Sequence, residues 1–168
     1  MPYQQVFNLL DKYDCNIIKM DDFFLPKELR TQKRLAQTGG HIHFERLYEN
    51  VILPTLYNGK VKYRKYDCQT QTMSEEQHFE KKMLNIVEGV YASHPRMLEI
   101  YHARIFLTLD QSTQRSRLIK REREANIEVF ESTWIPKEEQ YFKVHHIESK
   151  SDLIIDTTCF DDKSLNRN

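Results

Sequence analysis

Short apolar runs that suit buried strands alternate here with stretches carrying the 3.6-residue period of an amphipathic helix, and this constrains the fold more than any other feature. Ile17 and Ile18 centre one strand over 14–20, closed by Asp21-Asp22. Met83, Leu84, Ile86 and Val87 make a second over 82–88, apolar enough to be buried on both faces and ending in Glu88-Gly89. Ala103 to Leu109 is a third, followed by Asp110, and Leu153-Ile154-Ile155 is a last short one. A further strand alternates over 61–66. Such alternation predicts an α/β layered fold with a mostly parallel sheet, which binds ligands at the carboxyl ends of its strands.

Helices fill the intervals. Val6, Leu9, Leu10 and Tyr13 predict one over 3–12. Phe44, Leu47, Tyr48, Val51, Ile52 and Leu56 predict another, stopped by Asn58-Gly59. Residues 95–101 read as a short helix, 112–126 as a charged one, and 128–146 as one broken near Pro136. The polar segment 25–42, with Pro26 and Gly39-Gly40, reads as a loop. The tail past Asp156 reads as frayed, so one domain is expected over 1–157 with a tail at 158–168. A length of 168 residues suits that.

Composition narrows the function classes. Lys and Arg number 25 against 25 Asp and Glu, so bulk charge does not indicate a nucleic-acid surface. No run approaches the roughly 18 apolar residues of a membrane span, and the first residues lack the pattern of a signal peptide. Three scattered cysteines with no CxxC pair read as reduced thiols in a cytoplasmic protein. The histidines form no HExxH or comparable metal set, and no GxSxG elbow is present. With only four glycines, neither GxxxxGK[ST] nor GxGxxG can be written.

Chemistry is therefore sought at the strand ends. A carboxylate at Asp21 or Asp22 suits a general base or a metal ligand, and equally a turn or helix cap; side chains adjacent on a strand point to opposite sides, so one of the two faces a cleft. Glu88 before Gly89 suits Mg²⁺ or a surface turn. Arg115, Arg117, Lys120, Arg121 and Arg123 concentrate positive charge that could clamp phosphates, or form a solvated face paired with Glu122, Glu124 and Glu128. Phe23, Phe24 and Tyr66 could stack on a planar ligand or pack in the core.

In order and spacing, these stretches resemble the uridine kinase and phosphoribulokinase family of P-loop kinases. The matching segments are Ile17-Ile18-Lys19-Met20-Asp21-Asp22-Phe23-Phe24, Tyr66-Asp67-Cys68, Ile86-Val87-Glu88-Gly89-Val90-Tyr91, Ile105-Phe106-Leu107-Thr108-Leu109-Asp110 and the arginine-rich 117–123. Gly39-Gly40 to Glu45-Arg46 and Trp134-Ile135-Pro136 to Tyr141-Phe142 resemble a bacterial, uridine-kinase-like branch. The resemblance implies a three-layer P-loop NTPase-like fold and phosphoryl transfer from ATP, with Mg²⁺, to a hydroxyl of a nucleoside or similar small molecule. Asp21 would be the base and Glu88 would help position Mg²⁺. Phe24, His43, Tyr66 and Asp67 would line the acceptor site. Arg117, Arg121 and Arg123 would belong to a lid over the phosphates, about 112–126. It implies no nucleic-acid or membrane partner and is compatible with a homo-oligomer.

Two departures accompany the resemblance. The first strand and the GxxxxGK[ST] loop of such kinases have no counterpart, which leads to the expectation that this sequence is an N-terminally shortened version. Loss of a central strand would leave its neighbours' backbone groups unpaired, at about 1–3 kcal/mol each where buried. In addition, His43 stands where nucleoside kinases carry an Asp for the sugar hydroxyls. An imidazole can bond a hydroxyl but lacks the carboxylate's charge, so uridine is disfavoured as substrate.

Overall fold

A computed structural model describes residues 13–57, 59–122 and 127–160. The helix expected over 3–12, the end of the charged helix with Arg123, Asn58 and the last eight residues lie outside the described residues. The chain divides into two compact units, one of Tyr13–Ala92 and one holding the described residues from Ser93 onward.

In the first unit, β1 (Cys15–Lys19) and β4 (Leu84–Glu88) run parallel, with Ile17 opposite Ile86 and Lys19 opposite Glu88. Ile18 and Met20 are buried, so this pair contributes one packed face. β4 is shorter than the expected 82–88 and not buried on both faces: Met83 is 97% exposed and Leu84 41%. Among the described residues β4 has one neighbour in its sheet, less cover than a strand in a larger parallel sheet receives.

β2 (Lys60–Asp67) forms an antiparallel hairpin with β3 (Thr72–Glu80). Val61 and Tyr63 point inward while Lys60, Lys62 and Arg64 point out. A register shift between Arg64 and Tyr66 then turns Tyr66 inward as well, as a bulged residue does. The segment expected to be a plain loop contains a short helix, α1 (Gln32–Leu35), capped by the Thr31 hydroxyl. Its Arg34 grips Glu45 with both guanidinium nitrogens at 2.8 and 2.9 Å and also bonds the Gly40 and Ile42 carbonyls. That grip holds the Glu45 carboxyl at about 2.

The helix α2 spans 44–56 and buries Phe44, Leu47, Val51 and Ile52 on one stripe. It contains Pro54 without breaking. Leu53 N–H donates to the Tyr48 carbonyl, five residues back, and this widened turn accommodates the proline that follows.

In the second unit, β5 (Ile105–Thr108) and β6 (Leu153–Asp156) are parallel, with Phe106 opposite Ile154. α3 (Gln111–Glu122) follows β5, and a helix α4 runs over 127–145. No break occurs at Pro136: Ile135 N–H reaches the Phe130 carbonyl, the same widened turn that precedes Pro54. Expected as a helix, 95–101 supplies one 3₁₀ turn, Pro95–Met97. Tyr141, Met97, Leu118, Ile127 and Ile147 form the buried cluster.

Of the strands foreseen, four form two parallel pairs, one in each unit, while the fifth pairs antiparallel with the unforeseen β3. The fold is α/β with mostly parallel pairing.

Candidate functional site

Parallel pairing in the first unit brings two strand ends side by side. After Lys19 the chain enters a 3₁₀ turn, Met20–Phe23, which carries Asp21 and Asp22; after Glu88 it bends at Gly89. Gly89 has φ +126°, and a Cβ there would lie 2.9 Å from the Met20 Cβ. Only glycine meets both the left-handed backbone and the close approach. The bend keeps Glu88 beside the acidic turn. Burial raises the Glu88 carboxyl above its ordinary value, and the Asp21 and then Asp22 charges add to that, against an opposing pull from Lys19.

The two adjacent aspartates have different surroundings. Asp22 is drawn toward the hairpin: Tyr63 donates its hydroxyl to Asp22 Oδ2 at 3.1 Å, and Lys65 Nζ lies 3.4 Å from the same oxygen. Burial and then the Asp22 charge push the Tyr63 hydroxyl up. Asp21 is exposed, and its charge acts on both Glu88 and Cys68.

The residues expected at an acceptor site have the following surroundings. Phe24 faces the His41 ring at 5.8 Å, and His41 meets Tyr91 edge-on at 4.6 Å. Asp21 and Phe24, like Glu88 and Tyr91, are three residues apart, so each strand end supplies an acid and then an aromatic ring. His43 caps α2 without a side-chain bond to it. Its Nδ1 is buried with no hydrogen-bond partner, and burial, then Arg46, lowers its basicity. Both effects favour the neutral imidazole, which can bond a hydroxyl.

Tyr66 is buried, with the Arg30 guanidinium 5.6 Å from its ring centre. Arg30 also bonds the Leu25 carbonyl and acts on the Cys68 thiol, which burial raises. Reading 25–42 as a polar loop missed Arg30, and its spacing from Tyr66 gave no signal. Asp67 is exposed, and its Oδ1 accepts the N–H groups of Gln69 and Thr70, so this carboxylate shapes the hairpin turn.

The expected lid residues lie in the second unit. Arg117 donates to the carbonyls of Thr157 and Phe160 at 2.8 and 2.9 Å, and Thr157 bonds the Thr108 carbonyl. Residues 157–160, expected to be frayed, are therefore fastened. The Arg121 guanidinium lies 5.6 Å from the Phe130 ring centre. Arg115 meets Glu131 at 2.7 Å. Asp110, the third strand-end acid, caps α3, taking the Ser112 and Thr113 hydroxyls and the Thr113 N–H; these bonds hold its carboxyl low.

Among the described residues, no group of three or more His, Cys, Asp or Glu side chains is arranged to hold a metal ion. No helix among the described residues is long and apolar enough to cross a membrane.

No protein-family model and no curated protein matches the chain. Among solved structures it is similar to one described as a possible uridine kinase from Bacillus stearothermophilus. The TM-score is 0.65 at 14% identity, over 91% of this chain and 77% of that one. At that identity the likeness is one of fold alone, an α/β fold shared with that structure.

Proposed function

We propose that this chain is an ATP-dependent phosphotransferase of uridine-kinase-like type that phosphorylates a hydroxyl of a nucleoside or similar small molecule. The observation that carries the reading is the meeting of Asp21 and Glu88 at the carboxyl ends of β1 and β4, with Asp22 turned away to Tyr63 and Lys65. Asp21 accepts the proton of the substrate hydroxyl as its oxygen forms the new bond to the γ-phosphorus. The bond from that phosphorus to the bridging oxygen breaks, and ADP leaves with the electron pair. When bound, Mg²⁺ would neutralise charge on the phosphates, and Glu88 at the end of β4 would help hold it.

Phe24, His43, Tyr66 and Asp67 belong to the acceptor side. A neutral His43 in place of a carboxylate favours an acceptor whose hydroxyl needs a single hydrogen bond over a ribose held through a charged group. Arg117, Arg121 and Arg123 are assigned to the phosphates, an assignment that requires Arg117 to release the carbonyls of Thr157 and Phe160.

The test is turnover of Mg²⁺·ATP with a panel of nucleosides and polyols. Asp21→Asn is expected to lower kcat by about 10²–10⁴-fold with nucleotide binding intact. Undiminished kcat removes Asp21 from the role of base. A second reading, a non-catalytic small-molecule binder, is favoured by the engagement of Arg117 with the tail. Micromolar binding of Mg²⁺·ATP in calorimetry contradicts that second reading.

A further inference from the structure

One buried charge near the acidic turn has no part in the chemistry above. Arg46, on α2, is only 9% exposed. Its Nη2 donates to the Asp22 carbonyl at 2.9 Å and the Phe24 carbonyl at 3.2 Å, and its Nη1 donates to the Arg64 carbonyl on β2. The guanidinium carbon lies 4.9 Å from the Phe23 ring centre. One planar fork therefore spans the turn on both sides of Phe23 and ties it to the hairpin. Lysine, with a single ammonium nitrogen, cannot reproduce a fork that reaches carbonyls on two elements.

Arg46 is a poor choice if stability alone is the purpose. Its Nε is buried with no hydrogen-bond partner, and an ion buried with an orphan donor is commonly no better than an apolar side chain of similar volume. What the guanidinium supplies, and an apolar group does not, is a fixed position for two carbonyls of the turn.

We propose that Arg46 is the positioning residue of the site: by pinning the Asp22 and Phe24 carbonyls it fixes the turn in which the Asp22 side chain faces Tyr63 and Lys65 and Asp21 is left as the exposed carboxylate. The assignment rests on the reading of Asp21 as the reacting group, while the geometry it invokes is that of the turn alone. The sequence reading placed Arg46 only within the segment Gly39-Gly40 to Glu45-Arg46 and assigned it no role.

Amide hydrogen exchange on the full chain with Arg46→Lys tests the proposal. Two amides report on the turn: Leu25 N–H, which donates to the His41 carbonyl, and His43 N–H, which donates to the Phe23 carbonyl, both at 2.7 Å. Both are expected to exchange about tenfold faster, with the Val61–Phe79 ladder unchanged. Equal acceleration throughout the unit, or none at the turn, overturns the proposal and leaves Arg46 as a packing residue.

If Arg46→Lys does not fold, the parent protein decides. The Arg46 Nη protons must then exchange at least about a hundredfold more slowly than those of exposed Arg115, and equal rates overturn the proposal. For turnover, Arg46→Lys lowers kcat and leaves KM for ATP unchanged, whereas a change in KM alone contradicts the role. Were Asp21→Asn to retain full activity, the transfer reading would fall while the exchange result stood. A null exchange result would remove Arg46 and leave the transfer reading untouched.

Discussion

Glu88 and Asp110 occupy the same kind of position, an acid closing a strand of a parallel pair, one in each compact unit. Their surroundings push them in opposite directions. After Glu88 comes Gly89, which bends the chain and offers no side-chain donor, while burial and two aspartates make the Glu88 charge unfavourable. After Asp110 comes a helix start, with Ser112 and Thr113 supplying two hydroxyls and an N–H. The first acid keeps unmet affinity for a proton or cation, and the second has its charge fully used. Ion pairs occur in both units. In the second, Arg104 pairs with Asp152, Arg115 with Glu131, and Arg117 with the carbonyls of Thr157 and Phe160. In the first, Arg34 pairs with Glu45 and Lys65 with Asp22, while Asp21 and Asp22 both act on Glu88. A strand-end acid therefore becomes a candidate for chemistry only when the following residues fail to satisfy it.

The contrast is broken most forcefully at Gly89. Gly89→Ala meets both the φ of +126° and the Met20 Cβ, and is expected to destabilise the chain by about 2–4 kcal/mol in a denaturant melt. A loss below about 0.5 kcal/mol would mean the bend tolerates a side chain and does not fix Glu88. Next in size, Arg117→Ala removes two charge-assisted bonds to the tail. About 1–2 kcal/mol of stability is expected to go, with new proteolytic cleavage near Phe160. Unchanged stability and cleavage would show that the tail is held without Arg117.

The smallest expected effect carries opposite signs in the two units. Folding raises the Glu88 carboxyl, so its protonation supports the fold below the unfolded value, and that support is lost as pH rises through the folded value. Folding lowers the Asp110 carboxyl, so its contribution is present above the unfolded value and lost as pH falls through the folded one. Glu88→Gln is thus expected to raise the melting temperature at pH 7 and to matter little at pH 3, where Glu88 is already protonated. Asp110→Asn is expected to lower it at pH 7, with the difference shrinking toward pH 2. Two variants shifting the same way at pH 7 would erase the contrast.

Much of the architecture could be read from local pattern. Apolar runs located β1, β4, β5 and β6, and the stripe of Phe44, Leu47 and Val51 located α2, because burial of one face leaves a period in the sequence. β3 was hidden because only Met73 and Phe79 mark it as apolar among polar residues; its partner β2 holds it through the hairpin. Pro136 suggested a break, yet a widened turn before it carries the helix through, as another does before Pro54. The acids at the site were legible for their place after strands. What separates them was not: Asp22 is taken by Tyr63, 41 positions away, and Arg117 by Thr157, 40 positions away. Such pairings depend on tertiary placement, which leaves no period or spacing to read. Arg46 was noted only as part of a resembling segment, and its role stayed hidden for the same reason.

The most direct measurement is the carbon-13 titration of the Glu88 and Asp110 side-chain carboxyls in the full chain, repeated with Asp21→Asn. The account predicts Glu88 above an ordinary glutamate, Asp110 below an ordinary aspartate, and a fall in the Glu88 value alone when the Asp21 charge is removed. A Glu88 that titrates at or below the ordinary value, or that ignores the loss of Asp21, would contradict it.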